Sequence, residues 1–143
     1  MKTSDELKAR IMKTDLEAWA VFRKRSDLDH LGYPSQSAEQ CEFGTSSAVD
    51  PAYEREILID LAIEKMPIDY RRIMYAAYSI PLKLKVLDFC KISHKKMYFS
   101  KRTGLFYFPE NMEETFTVLR IKRPTFYNLL RCGKAWFLGR IYD

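Results

Sequence analysis

Prolines limit how long a helix can be over most of this 143-residue chain. A proline inside a helix removes a backbone hydrogen bond and clashes with the preceding turn, so helices tend to begin or end near one. Asp50-Pro51 has the pattern of a helix start, Pro67 ends the apolar segment that follows, and Pro81 ends or kinks the next one. Pro124 suits the first turn of a C-terminal helix. The chain is therefore expected to fold into several short helices.

Apolar residues at helical spacing indicate where these helices lie. They predict an N-terminal helix over residues 4–25 with Trp19 buried, and further helices over 51–66, 69–78 and 83–89. We therefore expect a mainly α fold, in one small helical domain spanning 1–143. It would consist of the N-terminal helix (1–25), a loop or linker rich in Ser, Gly and Asp (26–50) and a helical body (51–143). The expected inward residues are Leu7, Ile11, Leu16, Trp19 and Phe22 in the first helix, Ile57, Leu58, Leu61 and Ala62 in the second, and Ile73, Met74, Ala77 and Tyr78 in the third, with Arg71 and Arg72 outward.

Composition excludes several classes of protein. No apolar run approaches the ~20 residues of a membrane span, and the N-terminus lacks the apolar core of a signal peptide, so an intracellular protein is expected. Three cysteines and two histidines without a CxxC pair do not match a structural zinc site. The carboxylates of residues 54–69 are expected to be solvated, and no catalytic motif or cofactor loop is present. The expectation is a non-enzymatic protein without metal or cofactor, a small nuclease being the remote alternative.

Positive charge is concentrated in the later part of the chain. Residues 1–50 hold seven Lys and Arg against nine Asp and Glu, whereas residues 51–143 hold 17 against ten. Such an excess is compatible with contact to phosphates, and equally with an ordinary solvated surface.

A basic, aromatic segment predicts a β-hairpin. Met97–Ser100 and Leu105–Phe108 are strand-like runs, and Lys101-Arg102-Thr103-Gly104 joins them, with Gly104 placed for a left-handed turn residue. The basic tip could lie on a phosphate backbone like a wing, or the aromatic rings could stack on single-stranded bases. Alternatively, the rings complete the core and the lysines are solvated.

Residues 111–142 have the pattern of a helix-turn-helix, a motif in which the second helix enters the DNA major groove. Two positions depart from the usual pattern: Phe116 stands where a small residue is generally found, and Arg120 where Gly usually makes the turn. The alternative is an ordinary amphipathic C-terminal helix. The apolar residues expected inside the angle are Phe116, Leu119 and Ile121 before the turn and Phe126, Leu129 and Leu130 after it. The candidate DNA-binding residues are Lys122, Arg123, Thr125, Tyr127, Asn128, Arg131 and Lys134.

The order of these features resembles the small late-gene regulators of lambdoid phages of the Q antitermination type. Members show a tryptophan-bearing N-terminal helix, a Gly-Tyr-Pro-Ser segment, an acidic-capped helix, an arginine-containing helix and a helix-turn-helix like the last region of a sigma factor. The basic segment from Lys83 to Pro109 looks like an insertion relative to compact members. The matching places here are Trp19, Leu31-Gly32-Tyr33-Pro34-Ser35, Asp50 to Ala62, Tyr70-Arg71-Arg72 and Leu119 to Trp136.

The resemblance implies a cytoplasmic transcription antitermination factor of a phage-infected bacterium. Such proteins bind double-stranded DNA near a late promoter, load onto paused host RNA polymerase and let it read through pauses and terminators. The linker and the basic insertion would then engage polymerase, with or without its sigma factor, or nascent RNA. Rival hypotheses are a simple activator or repressor and a polymerase or sigma interaction protein that does not bind DNA. The candidate backbone, RNA or polymerase contacts are Lys95, Lys96, Lys101, Arg102, Arg71 and Arg72.

Overall fold

A computed structural model describes the backbone of residues 2–29 and 53–141, and the side chains of residues 6–25 and 53–141. Within these residues the expected mainly α fold with an inserted β-hairpin is confirmed. No helix in the described ranges is long and apolar enough to cross a membrane. The elements are α1 (Lys2–Asp29), α2 (Glu54–Glu64), α3 (Ile68–Ala77), α4 (Leu84–Phe89), β1 (Tyr98–Ser100), β2 (Leu105–Tyr107), α5 (Met112–Leu119) and α6 (Arg123–Ile141).

Helix α6 packs across α3 at the centre of the described fold. Phe126 and Phe137 of α6 are completely buried, together with Ile73 and Met74 of α3. The helices approach closely at Gly133, because a Cβ atom added there would lie 3.3 Å from the Cβ of Tyr70. A residue without a side chain at this point lets a long, otherwise exposed helix lie against α3.

Helix α1 is fastened to α2 by polar contacts as well as by the buried Trp19 ring. Trp19 Nε1 donates a hydrogen bond to Asp60 Oδ1 (2.9 Å), and Arg23 Nη1 reaches the same oxygen at 2.8 Å. Arg55 donates to both carboxylate oxygens of Asp15, at 2.9 and 2.7 Å. The expectation that Asp60 belongs to a solvated acidic face was therefore wrong, because a buried indole N–H needs an acceptor.

The buried face of α2 differs from the expected one. Ile59 and Ile63 are almost completely buried, whereas Leu58 and Leu61 are 61% and 47% exposed. The choice of Leu58 and Leu61 as inward residues was wrong. Both sets have helical spacing in this apolar segment, so the contacts with α1 and α6 select the face rather than the periodicity.

Helix boundaries follow the prolines with small shifts. Helix α3 ends at Ala77, before Pro81, and Pro67 immediately precedes its first residue. Helix α1 continues to Asp29, so its expected end at residue 25 was too early, and its Leu7 and Ile11 are exposed rather than inward. The proposed Asp50-Pro51 helix start and the rest of the linker lie outside the described residues.

The predicted hairpin is confirmed, and its turn lies at the predicted residues. Strands β1 and β2 pair antiparallel, with Tyr98 opposite Tyr107 and Phe99 opposite Phe106. Gly104 has φ of 72°, the left-handed conformation expected for it. Leu82 joins the hairpin to the body through two backbone hydrogen bonds with Phe106, at 3.0 and 2.8 Å.

Candidate nucleic-acid interface

Helices α5 and α6 are joined by a three-residue connection whose geometry is fixed by Arg120. Arg120 follows the last residue of α5 and has φ of 60° and ψ of 41°, the left-handed conformation. The Ile121 amide donates to the Phe116 carbonyl and the Arg120 amide to the Thr117 carbonyl, both at 3.1 Å. These two hydrogen bonds form a Schellman motif, which closes a helix C-terminus and usually has Gly at this place. Arg120 therefore departs from the usual motif in residue type, while its backbone has the conformation that Gly normally takes at this place.

The N-terminus of α5 is capped by a side chain. Asn111 Oδ1 accepts a hydrogen bond from the Glu113 amide at 2.7 Å. Thr115, which is buried, donates to the carbonyl of Pro109 or Asn111, at 3.3 and 3.2 Å. Both ends of this eight-residue helix are thus closed by local hydrogen bonds.

Aromatic rings fill the angle between α5 and α6. The ring centroids of Phe116 and Phe126 are 5.1 Å apart, and Tyr127 meets Phe116 edge-on at 6.2 Å. Phe116 therefore occupies space that a small residue leaves empty in the usual motif. The apolar residues expected inside the angle divide into two groups: Phe116, Leu119 and Phe126 are buried, and Ile121, Leu129 and Leu130 are half-buried against the core.

Arg72 holds the end of α5 from the opposite side. Its Nη2 donates to the Leu119 carbonyl at 2.6 Å and to the Lys91 carbonyl, beyond α4, at 3.2 Å. Burial lowers the pKa of the Arg72 guanidinium below its ordinary value, and the Asp69 carboxylate opposes this shift. The positive charge thus meets two helix C-termini, where a cation is favoured. Arg72 was expected to point outward, but its half-buried guanidinium turns to these two carbonyls.

Arg71 is also held within the protein. Its Nε donates to the Tyr75 hydroxyl at 2.9 Å, and its guanidinium lies over the rings of Tyr75 and Phe89, at 5.4 and 5.5 Å from their centroids. The outward orientation expected for Arg71 was wrong for the same reason as for Arg72. The sequence shows two adjacent arginines on a short helix, but not that aromatic rings and helix ends surround them. Both guanidinium groups are engaged within the protein, and their contact with a partner stays a prediction.

The other helix-turn-helix candidates lie at and just before the first half of α6, and their surface is hereafter called the α6 face. Lys122, Arg123, Thr125, Tyr127, Asn128 and Arg131 are all exposed, and Lys134 is half-buried with its ammonium 5.9 Å from the Tyr78 ring centroid. At ~100° per residue, Asn128 and Arg131 lie on the side of the helix away from Phe126 and Phe137, whereas Tyr127 lies on its flank, where its ring meets Phe116 and Phe126. The candidates thus follow one stretch of the chain, with Asn128 and Arg131 farthest from the core and Tyr127 and Lys134 on the flank.

Electrostatics make the α6 face attractive to anions. Residues 115–142 include six Lys and Arg and no Asp or Glu. The acids close to the face belong to α5, where Glu113 lies 3.9 Å from Arg123 with both side chains mostly exposed. A pair this long and exposed contributes little, so Arg123 can exchange it for a phosphate.

Asn128 and Arg131 form a hydrogen-bonded pair at the centre of the α6 face. Arg131 Nη2 donates to Asn128 Oδ1 at 2.7 Å, one turn along the helix. This bond uses one of the five N–H donors of the guanidinium. It orients both side chains before any ligand arrives, which lowers the entropy cost of binding.

Sequence reasoning missed Arg120 as a member of this surface. Arg120 is exposed and lines an open groove of about 790 Å³ between α5 and the start of α6, with Lys122 and Arg123. The available signal was its place two residues before the adjacent Lys122 and Arg123. Arg120 extends the positive surface across the connection between the helices.

The hairpin carries the second set of candidates. Lys95, Lys96, Lys101 and Arg102 are exposed, on the hairpin and on the turn that precedes it.

Comparisons of the chain with protein-family models, curated proteins and solved structures give no match. Within the described residues, no group of three or more His, Cys, Asp or Glu side chains could hold a metal ion.

Proposed function

We propose that this protein binds double-stranded DNA through the α6 face, with α6 as the recognition helix of a helix-turn-helix. The observation that carries the proposal is the set of Arg123, Tyr127, Asn128 and Arg131, exposed on a helix that itself carries no acidic residue and whose other side is core. A helix of this kind fits the major groove, where Asn pairs with adenine and Arg with guanine.

Cations around the pair would fix the position of α6 on the duplex. Arg120, Lys122 and Arg123 lie at the start of the helix, where they can contact phosphates. Because phosphate contacts release counterions, binding should weaken steeply as salt increases. The biochemical role proposed is therefore recognition rather than catalysis.

We further propose that the protein is a transcription antitermination factor, acting in the cytoplasm of a phage-infected bacterium on host RNA polymerase. The support is the resemblance to Q-type regulators, carried by Trp19, the Gly-Tyr-Pro-Ser segment and the C-terminal helix pair. In this role the α6 face binds a DNA element near a late promoter. The basic hairpin, with Lys101 and Arg102, faces polymerase or nascent RNA.

The DNA proposal is tested by fluorescence anisotropy with duplex fragments from the protein's own genomic neighbourhood. Asn128→Ala and Arg131→Ala should each weaken specific binding roughly 5- to 150-fold, since bidentate base contacts contribute about 1–3 kcal/mol each. Arg140→Ala is the matched control, because it removes the same charge from the far end of the same helix, where Arg140 lies over Trp136. If Arg131→Ala and Arg140→Ala lose equal affinity for the duplex, the effect comes from net charge and not from a base contact. Wild-type protein that binds no duplex at low salt would refute the proposal and favour a polymerase or sigma interaction protein.

Antitermination is tested separately, with purified host polymerase on a template carrying the DNA element and a terminator. Read-through should rise on adding wild-type protein and not on adding Arg131→Ala. Read-through that is unchanged while duplex binding persists would leave a simple activator or repressor as the function.

A further inference from the structure

One face of the β-hairpin exposes an aromatic ring that the core does not use. The Tyr98 side chain is 69% exposed, and its ring lies 6.1 Å from the ring of Tyr107 on the paired strand. Burying an aromatic ring is favourable, so a ring displayed to this extent on an ordered strand lacks a packing role within the described fold.

A groove runs along this face of the hairpin. It has a volume of about 570 Å³ and is lined by Tyr98, Tyr107, Arg102, Pro109 and Glu110, among others. This volume lies in the range of sites that hold a group the size of a nucleotide. Aromatic rings at one side and a guanidinium at the other offer a stacking surface and an anion contact.

The hairpin tip is held rigid by local hydrogen bonds. The Gly104 amide donates to the Ser100 carbonyl at 2.7 Å, and the Leu105 amide donates to Thr103 Oγ1 at 3.3 Å. Thr103 Oγ1 also lies 3.3 Å from the Tyr107 hydroxyl, within hydrogen-bonding distance. The groove is therefore formed before a ligand binds.

Charge around the groove selects an anionic ligand. Arg102 and Glu110 are the charged residues of its lining, and the segment between Asp88 and Glu110 adds four lysines and no further acid, so that cations outnumber the one carboxylate. Lys95, Lys96, Lys101 and Arg102 are exposed. Cations beside an exposed ring are the combination that binds single-stranded nucleic acid, where rings stack on bases and cations follow the phosphates.

The opposite face of the hairpin is different. The Phe99 ring lies 4.8 Å from Phe106, which meets His94 edge-on at 5.3 Å. Phe106 packs against the core, and Phe99, although 45% exposed, rests on Phe106 and lies outside the groove. The Phe99 face therefore serves as an internal comparison for the Tyr98 face.

We propose that the Tyr98 groove is a single-stranded nucleic-acid site, in which a base stacks on Tyr98 and the backbone contacts Arg102 and the neighbouring lysines. A duplex would contact the hairpin through phosphates alone, because its bases are already stacked, and the exposed ring would then contribute nothing. This site goes beyond the duplex contact proposed for the α6 face, and each can fail without the other.

The test uses full-length protein and fluorescein-labelled dT15 and rU15 in fluorescence anisotropy. Wild-type protein should bind at least one of the two oligonucleotides, and the one bound more tightly identifies the ligand as DNA or RNA. Tyr98→Val removes the ring but keeps a residue type that favours strands, and it should weaken binding roughly 5- to 150-fold, the range for loss of one base–aromatic stack. Tyr98→Phe should retain affinity, because stacking needs the ring and not the hydroxyl. Phe99→Val, on the opposite face, should change it less than twofold.

A second measurement locates the site without relying on affinity. An oligonucleotide carrying 5-iododeoxyuridine, photocrosslinked and mapped by mass spectrometry, should attach to Tyr98. Duplex binding by the same Tyr98→Val protein should be unchanged, which also shows that the variant is folded.

Three results would overturn the proposal. The first is wild-type protein that binds duplex but neither single strand. The second is equal single-strand affinity in Tyr98→Val and Tyr98→Phe. The third is a crosslink at Tyr127, or loss of single-strand binding in Arg131→Ala, because either would place the strand on the α6 face.

Discussion

Replacing Arg120 by glycine should stabilise the protein. Arg120 has φ of 60° and ψ of 41°, and an L-residue pays about 1–2 kcal/mol in this left-handed conformation. Glycine avoids that strain but loses roughly 0.5–1 kcal/mol of extra backbone entropy on folding. The expected net gain for Arg120→Gly is therefore about 0.5–1 kcal/mol.

The structure supplies a matched position for this prediction. Lys91 follows α4 with φ of 57°, and the Ile92 and Lys91 amides donate to the Leu87 and Asp88 carbonyls at 2.9 and 3.2 Å. This is the same Schellman arrangement, so Lys91→Gly should produce a similar gain. Arg120→Ala removes the same side chain but keeps the strain, and it should not stabilise.

Urea unfolding followed by circular dichroism measures the effect, and thermal unfolding should show an increase in Tm of roughly 1–4 °C. If Lys91→Gly stabilises the protein while Arg120→Gly does not, the left-handed conformation of Arg120 does not by itself determine how this residue affects the free energy of unfolding. The Arg120 side chain would then contribute a contact of comparable size. A gain of the same size in Arg120→Ala would likewise refute the reasoning, because it would come from loss of the side chain.

Two further predictions concern buried groups. Arg72→Leu should destabilise the protein by about 2–3 kcal/mol, because the Leu119 and Lys91 carbonyls lose a charged donor. Arg72→Lys should recover part of this stability. If urea unfolding shows no loss of stability in Arg72→Leu, water replaces the guanidinium. Burial raises the pKa of Cys90 above its ordinary value of 9.0 and that of Tyr75 above its ordinary value of 10.0. Near these pH values the two side chains therefore ionise more readily in the unfolded chain than in the folded protein. The free energy of unfolding should therefore fall as pH rises above about 9, with a slope of at most ~1.4 kcal/mol per pH unit for each group. Cys90→Ala should flatten the decrease between pH 8 and 10 in urea titrations, and an unchanged slope would show that the thiol is not its source.

The hairpin and the helix pair were predictable because their determinants are local. Gly104 between two aromatic runs is enough to indicate the turn, and Pro124 marks the start of α6 to within one residue. The sequence also marked Arg120 as the residue standing where Gly usually makes the turn, and its left-handed conformation is set by hydrogen bonds to the last turn of α5. In each case neighbours along the chain decide the backbone geometry.

Orientation of side chains was less predictable. Leu58 and Leu61 have the same helical spacing as Ile59 and Ile63, yet only the isoleucines are buried. Arg72 has the composition of a surface residue but donates to Leu119, far away in the sequence. These outcomes depend on which elements pack against each other, and a local sequence pattern does not specify that packing.

The sequence by itself thus determined where this chain turns, which segments are helical or extended, and that its later part is basic. Tertiary structure alone decided which cations remain available to a ligand. It enclosed Arg71 and Arg72 among aromatic rings and helix ends, and it left Asn128 and Arg131 paired and exposed on α6. The physical reason is that helix and turn formation are governed by hydrogen bonds between residues a few positions apart. Burial of a charged side chain depends on partners brought close only when the whole chain has folded.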